Sequence, residues 1–276
     1  MDDLLKKRYE SLRTALAEMP SVAVAFSGGV DSTFLLRAAH DVLGDNVLAV
    51  SAKSETYPEA ELASAQALAR DIGVRHVVIC TSELEIPGFR HNPPDRCYHC
   101  KRELFTQVRE VAARHGTQHV ADGTNADDAE DYRPGVRAIE ELGVLTPLRD
   151  AGLTKADIRE LSRELGLPTW DKPAYACLAS RFPYGAEITA AKLRTIEQAE
   201  AFLRELGFPQ CRIRHHGDVA RIEVEPGRTA ELASPEAAGA IVARLKELGF
   251  RYVALDLEGY RTGSMNEGLA ATGAEQ

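Results

Sequence analysis

The chain of 276 residues has a formal net charge of −9, with 44% hydrophobic and 27% charged residues, the balance of a soluble globular protein with room for one α/β domain and a smaller companion. An acidic chain argues against a broad nucleic-acid interface, which has to neutralise many phosphates with Lys and Arg. No run of about 18 apolar residues is present, and the first twenty residues read as an amphipathic helix rather than a secretion signal, so a cytoplasmic protein away from membranes is expected.

Residues 21–25 (SVAVA) predict a strand that runs into Ser27-Gly28-Gly29, and 33–40 predict a helix, an order of strand, Gly-rich turn and helix. Strands follow at 47–51 and 76–80, with a helix at 59–72 between them, then a helix at 103–115 and a strand at 119–121. This alternation calls for a doubly wound parallel sheet, whose ligands sit beyond the carboxyl ends of the strands. Ser27, Ser51 and Asp122 fall at such ends. Residues 154–165 predict a helix in which Thr154 and Asp157 form a capping-box pair, and Gly166-Leu167-Pro168 stops it. An irregular, proline-rich stretch follows, with Cys177 and Arg181 in it. Beyond it the pattern changes to a helix at 189–206, a hairpin from Cys211, a helix at 229–248 and a strand from Arg251. The expected organisation is an α/β domain over 1–185, a smaller α+β domain over 186–266 and a flexible tail over 267–276.

Ser27-Gly28-Gly29-Val30-Asp31-Ser32 is the strongest signal. Two glycines let consecutive amide N–H groups turn into one concavity, and the following helix adds its positive end, which makes a pyrophosphate cradle. Ser27 and Ser32 add hydroxyls, and Asp31 offers an oxygen to the Mg²⁺ that accompanies phosphates. No lysine follows the glycines, so the Walker pattern is absent. SGGVDS resembles the PP-loop of the N-type ATP pyrophosphatases, the adenine nucleotide alpha hydrolase-like fold. That resemblance implies cleavage of ATP between the α and β phosphates, with AMP transferred to the substrate. It also implies a second nucleotide loop at Gly123, Thr124 and Asn125, with Asp128 as a second Mg²⁺ carboxylate, and a weaker adenosine contact at Ser51 to Lys53.

The five cysteines are Cys80, Cys97, Cys100, Cys177 and Cys211, an odd set for which no disulfide framework is expected. Cys80 and Cys211 are expected to be structural, at a strand end and a strand start. The segments around Cys97-Tyr98-His99-Cys100, Asp131-Tyr132-Arg133-Pro134-Gly135 and Ala176-Cys177-Leu178-Ala179-Ser180-Arg181 resemble the LarE family of sulfur transferases over nearly the whole chain. The resemblance implies adenylylation of the carboxylates of pyridinium-3,5-biscarboxylic acid mononucleotide and their conversion to thiocarboxylates, on the way to the nickel-pincer nucleotide of lactate racemase. Cys177 then matches the sulfur-bearing cysteine, sacrificed as its thioester eliminates, and Arg181 is expected to be catalytic as a cation that lowers the thiol pKa. Cys97, Cys100 and Cys177 also match the ligand set of a [4Fe–4S] cluster with one open iron, in which case a bound sulfide is the donor. The pair could instead be half of a zinc site using His99 or His91, or a redox dithiol, both weighed below the cluster.

Arg212 and Arg214 alternate along a strand and so share a face, a geometry suited to a phosphate. The resemblance gives them the substrate's monophosphate, together with Ser180 and Glu200. It also implies a homo-oligomer, commonly a hexamer, and a small-molecule nucleotide as the sole substrate partner, with no nucleic acid. The alternatives weighed are a tRNA thiolase, disfavoured by the acidic charge, an amide-forming enzyme like NAD or GMP synthetase, for which the cysteines are incidental, and a non-catalytic nucleotide sensor.

Overall fold

The computed structural model describes residues 2–130, 134–173, 175–261 and 263–266. Asp131, Tyr132 and Arg133 of the quoted motif and the expected tail at 267–276 lie outside the described residues. The chain forms two compact units, Met1–Glu83 with Asp95–Tyr175, and Leu84–Pro94 with Ala176–Gln276.

The first unit opens with α1 (Asp3–Ala17), capped by Asp2, whose carboxylate accepts the Leu5 N–H at 2.7 Å. Leu5, Leu12 and Leu16 lie along one buried stripe, the spacing of an amphipathic helix. Then come β1 (Val22–Ala25), α2 (Val30–Leu43), β2 (Val47–Lys53), α3 (Glu59–Ile72), β3 (Arg75–Cys80), α4 (Arg96–Arg114), β4 (His119–Ala121), α5 (Pro134–Glu141), α6 (Pro147–Asp150) and α7 (Lys155–Glu164). The four strands form one parallel sheet in the order β3-β2-β1-β4.

Alternate strand residues supply two cores. Val22, Val24, Val47 and Ala49 pack with residues of α1, α2, α3 and α7, while Ala23, Leu48 and Val50 pack with Phe105, Val108, Val111 and Ile139 of α4 and α5. Helices therefore cover both faces, as the continuous apolar strands require. Each such side chain taken fully out of water stabilises the unit by roughly 1.5–3 kcal/mol. Helix α2 is buried nearly all round, including Phe34, Leu35 and Leu36, so the turn leading into it is fixed by the core. The strand order reverses between β1 and β4, and this is where a parallel α/β sheet opens a crevice for a ligand.

One difference from the sequence reading bears on the site. Helix α4 starts at Arg96 rather than 103, directly after Pro93-Pro94, which puts Cys97 and Cys100 in its first turns. The polar start of that helix masks its apolar period. The capping box of α7 forms as expected, with Asp157 N–H to Thr154 at 3.2 Å and Thr154 N–H to Asp157 at 3.0 Å.

The second unit contains α8 (Ala190–Glu205), β5 (Cys211–His216), β6 (Val219–Val224), α9 (Thr229–Leu232), α10 (Pro235–Glu247) and β7 (Tyr252–Leu255). β5 and β6 form an antiparallel hairpin, and β7 joins β6 in parallel. The expected helix over 229–248 is two helices, because Pro235 has no N–H to continue a helix and instead starts α10, with Ser234 as its cap. The unit also takes in residues assigned above to the first domain. Segment 84–94 joins it because the Asn92 side-chain amide donates to the carbonyls of Phe182 (3.1 Å) and Pro183 (2.6 Å), while Ile188 N–H donates to Arg90 O at 2.8 Å. Residues 176–185 join it through Arg181, whose guanidinium is held by Glu200 of α8. Among the described residues no helix is long and apolar enough to cross a membrane.

Candidate active site

In the first unit the loop after β1 has the form its glycines predict. Gly28 has φ +66, and a Cβ there would stand 3.0 Å from the Ala65 Cβ of α3, so a left-handed backbone and a close approach both demand glycine. Gly29 is the N-cap of α2. The hydroxyls of Ser27 and Ser32 are 3.0 Å apart, and Ser32 also donates to the Gly29 carbonyl at 3.3 Å. The neighbouring carbonyls are engaged as well: the Tyr57 hydroxyl donates to Ser27 O, and Lys172 Nζ donates to Gly28 O at 3.1 Å while pairing with Glu61 at 2.7 Å. With its carbonyls engaged, the loop presents a backbone nest at a helix N-terminus, the arrangement that receives phosphates.

The loop after β4 abuts the same helix end. A Cβ on Gly123 would lie 3.0 Å from the Ser32 amide nitrogen. Asp122 takes the Thr124 N–H at 2.9 Å, the Thr124 hydroxyl, and the Lys101 ammonium at 2.9 Å. Burial pushes the Asp122 carboxyl up, but the Lys101 charge and the Thr124 hydrogen bonds hold it below the ordinary aspartate range. Asn125 connects the two expected Mg²⁺ carboxylates: its amide Nδ2 donates to Asp31 at 3.4 Å and its N–H to Asp128 at 3.0 Å. Lys155 completes the group, with Nζ at 2.5 Å from Asp31 and its N–H donating to Asp127 at 2.8 Å. Two carboxylates beside a phosphate nest fit Mg²⁺, which is held by one or two protein carboxylates plus substrate phosphates rather than by a protein cage.

Two expected nucleotide residues are placed differently. The Ser51 hydroxyl is buried, donating to Phe26 O at 2.5 Å and bonded to His76 Nε2 at 2.8 Å, so its side chain serves the sheet. Lys53 is exposed and pairs with Glu59 at 3.7 Å. Tyr57, Lys101, Lys155 and Lys172 were not anticipated, since each reaches the loops across a long stretch of chain and no local pattern marks it.

In the second unit Cys177 is exposed and sits at the N-cap of a single 3₁₀ turn, Leu178–Arg181. Arg181 is fully buried, which explains the turn. Its guanidinium grips Glu200 through two bonds of 2.8 and 3.0 Å and donates to the carbonyls of Ala176 (2.8 Å) and Cys177 (3.2 Å) and to the Ser180 hydroxyl (2.9 Å). Arg181 therefore acts on the backbone that carries the thiol, as a positioning residue. Burial pushes the Glu200 carboxyl up, yet Arg181, Arg212 and the Ile213 N–H together hold it below the ordinary glutamate range. Glu200 thus faces the Arg181 guanidinium and the Ile213 N–H of β5.

Arg212 and Arg214 are both buried on β5. Arg214 bonds Glu223 at 2.7 Å and the Ser180 carbonyl at 3.1 Å, and the Arg212 guanidinium lies 4.9 Å from the Tyr260 ring centroid. Burial, with Arg181 close by, lowers the Arg212 pKa from its ordinary value, while Glu200 and Tyr260 oppose the shift.

None of the five cysteines is in a disulfide. Cys211 is buried as expected, whereas Cys80 is exposed, because it ends β3 at the sheet edge. Cys97 and Cys100 belong to the first unit and Cys177 to the second. Among the described residues no three His, Cys, Asp or Glu side chains are grouped as a metal ligand set.

A family model described as asparagine synthase matches residues 4–92, the stretch that contains the Gly28-Gly29 nest. The chain is 40% identical to a pyridinium-3,5-bisthiocarboxylic acid mononucleotide synthase of Lactiplantibacillus plantarum over 96% of each chain. It is 43% identical to an uncharacterized protein of Synechocystis sp. over 96% of this chain and 99% of that one. A Methanocaldococcus jannaschii protein is 32% identical over 87% of this chain and 91% of its own.

Proposed function

The chain belongs to the LarE family of pyridinium-3,5-bisthiocarboxylic acid mononucleotide synthases, and from that premise we propose that it is an ATP-dependent sulfur transferase acting on pyridinium-3,5-biscarboxylic acid mononucleotide. The nest at Ser27 to Ser32 takes the phosphates of ATP, with Gly123, Thr124 and Asn125 beside it and Lys53 at the rim. Asp31 and Asp128 hold the Mg²⁺, which screens charge on the phosphates when bound. A substrate carboxylate attacks the α-phosphorus, pyrophosphate leaves, and an acyl adenylate results. A carboxylate is a poor electrophile and an acyl adenylate a good one, so this order lets a sulfur nucleophile react near neutral pH.

The observation that carries the sulfur step is Cys177, an exposed thiol on a backbone clamped by a buried arginine. Its thiolate displaces AMP to give a thioester. Loss of the Cα proton and cleavage of the Cβ–S bond then leave the thiocarboxylate on the substrate and dehydroalanine in the protein. Arg212, Arg214 and Ser180 hold the substrate's monophosphate, with Glu200 orienting the arginines. The resemblance further suggests a homo-oligomer, commonly a hexamer, working in the cytoplasm, where the cysteines stay reduced.

The test uses purified protein with ATP, Mg²⁺ and the dicarboxylate nucleotide. Cys177→Ala is expected to abolish thiocarboxylate formation yet leave substrate-dependent pyrophosphate release at the wild-type level, and each wild-type chain is expected to lose about 34 mass units (one H₂S) once, at Cys177. Retained sulfur transfer by the alanine variant sinks the cysteine route. Anaerobically purified protein that carries iron and acid-labile sulfide moves the donor to a cluster.

A further inference from the structure

The C-terminal end of the second unit is built onto the arginine pair. Gly259 has φ +71, and a Cβ there would lie 2.7 Å from the Val224 carbonyl and 3.0 Å from Pro226 Cα, so only glycine lets the chain pass this close to the end of β6. The next residue, Tyr260, donates its N–H to that Val224 carbonyl at 2.7 Å and lays its ring beside Arg212. Ser264 then meets Arg214. Its Oγ accepts from Arg214 Nη2 at 3.1 Å and donates to Glu223 Oε1 at 3.2 Å. Asn266 Oδ1 accepts from the Tyr184 hydroxyl at 3.1 Å, tying the segment down beyond that contact.

We propose that Ser264 is a ligand of the substrate's phosphate, sharing it with Arg214. This rests on the reading that the arginine pair holds a nucleotide monophosphate. Two observations carry it further. Arg214 is 5% exposed, yet its Nε–H has no acceptor among the described residues, so the guanidinium is one hydrogen-bond acceptor short on a buried edge. Glu223, by contrast, keeps two charged donors without Ser264: it faces Arg214 at 2.7 Å and Arg221 at 3.2 Å. The hydroxyl proton is thus the contact that Glu223 loses most readily. A phosphate placed against Arg214 takes the unpaired Nε–H with one oxygen, and the Ser264 hydroxyl turns its hydrogen from Glu223 to another. The exchange moves one hydroxyl hydrogen from one anionic acceptor to another and exposes no charge.

The experiment is calorimetric titration of the full chain with nicotinate mononucleotide, a probe with a pyridinium ring, a carboxylate and a monophosphate. Ser264→Ala should weaken its binding about tenfold, the share of one hydrogen bond to a charged acceptor. Ser264→Thr, which keeps the hydroxyl, should restore it, and affinity for MgATP should be unchanged in both. The dephosphorylated riboside should bind wild type and Ser264→Ala alike, and inorganic phosphate alone should repeat the Ser264 dependence if the contact is to phosphate. Ser264→Ala binding the mononucleotide as tightly as wild type, while Arg214→Gln loses it, overturns the proposal for Ser264 alone. If Arg214→Gln binds it normally too, the phosphate reading of the arginine pair falls with it.

Discussion

The nest of the first unit and the arginine group of the second are built by opposite means. The nest is main chain: two glycines set its shape, and Tyr57, Lys172 and Ser32 only engage its carbonyls. The arginine group is side chain throughout, with Arg181, Arg212 and Arg214 nearly removed from water beside Glu200 and Glu223, which are also buried. A backbone site tolerates changed side chains but not an added Cβ. A buried ionic site tolerates neither partner's loss, because each charge depends on the other for compensation.

The largest expected effect follows from that dependence. Glu200→Gln leaves the Arg181 guanidinium buried without its counter-charge, a loss of about 3–5 kcal/mol of folding stability. Thermal unfolding should show it directly, and pH should give it a signature. The folded Glu200 carboxyl ionises below the ordinary glutamate range, so its contribution is complete above the unfolded value and drains away as pH falls through the lower folded value. Wild type should therefore lose stability across that acid window, and the glutamine variant should be flatter there. A variant as stable as wild type, with the same acid profile, would remove the contrast between the two sites.

What the sequence made legible follows the same division. The nest was readable because Ser27 to Ser32 are contiguous and their spacing between strand and helix is itself the structure. Arg212 and Arg214 were readable from alternation along a strand, which fixes a common face without saying what they meet. Glu223, one strand over, and Ser264, 50 residues beyond Arg214, carry no local signal. The same holds for Lys155 and Lys172, which reach Asp31 and Gly28 across separations of 124 and 144 residues. The parallel sheet came from alternating periods. The domain boundary did not, because Arg181 and Asn92 recruit their segments through tertiary hydrogen bonds that no composition shift announces.

A smaller effect is expected at Gly28, where the comparison can be sharpened from the backbone side. Gly28→Ala must hold a left-handed φ of +66 and fit a methyl 3.0 Å from Ala65 Cβ, a strain of about 1–3 kcal/mol that the nest relieves by shifting. MgATP affinity should fall about 10- to 100-fold, with mononucleotide binding to the second unit untouched. Ser27→Ala, which keeps the main chain, should cost less than Gly28→Ala. The reverse ranking in a direct binding assay would make the loop a side-chain site after all.

The smallest effect concerns thiols and separates the exposed cysteines from the buried one. Cys211 lies buried on β5, and burial, with Glu200 beside it, pushes its thiol up to about 12. Cys80 and Cys177 are exposed. Alkylation of the native protein near pH 8, read by peptide mass mapping, should modify Cys80 and Cys177 and spare Cys211 until the protein unfolds, because the thiolate is the reacting form. The sign of the linkage gives a second reading. The folded thiol stays protonated where an unfolded cysteine ionises, so stability is unaffected below the ordinary cysteine value and declines as pH rises from there toward about 12. Cys211→Ala should flatten that alkaline decline, and rapid native labelling of Cys211 would show that the arginine group is open to solvent rather than sealed.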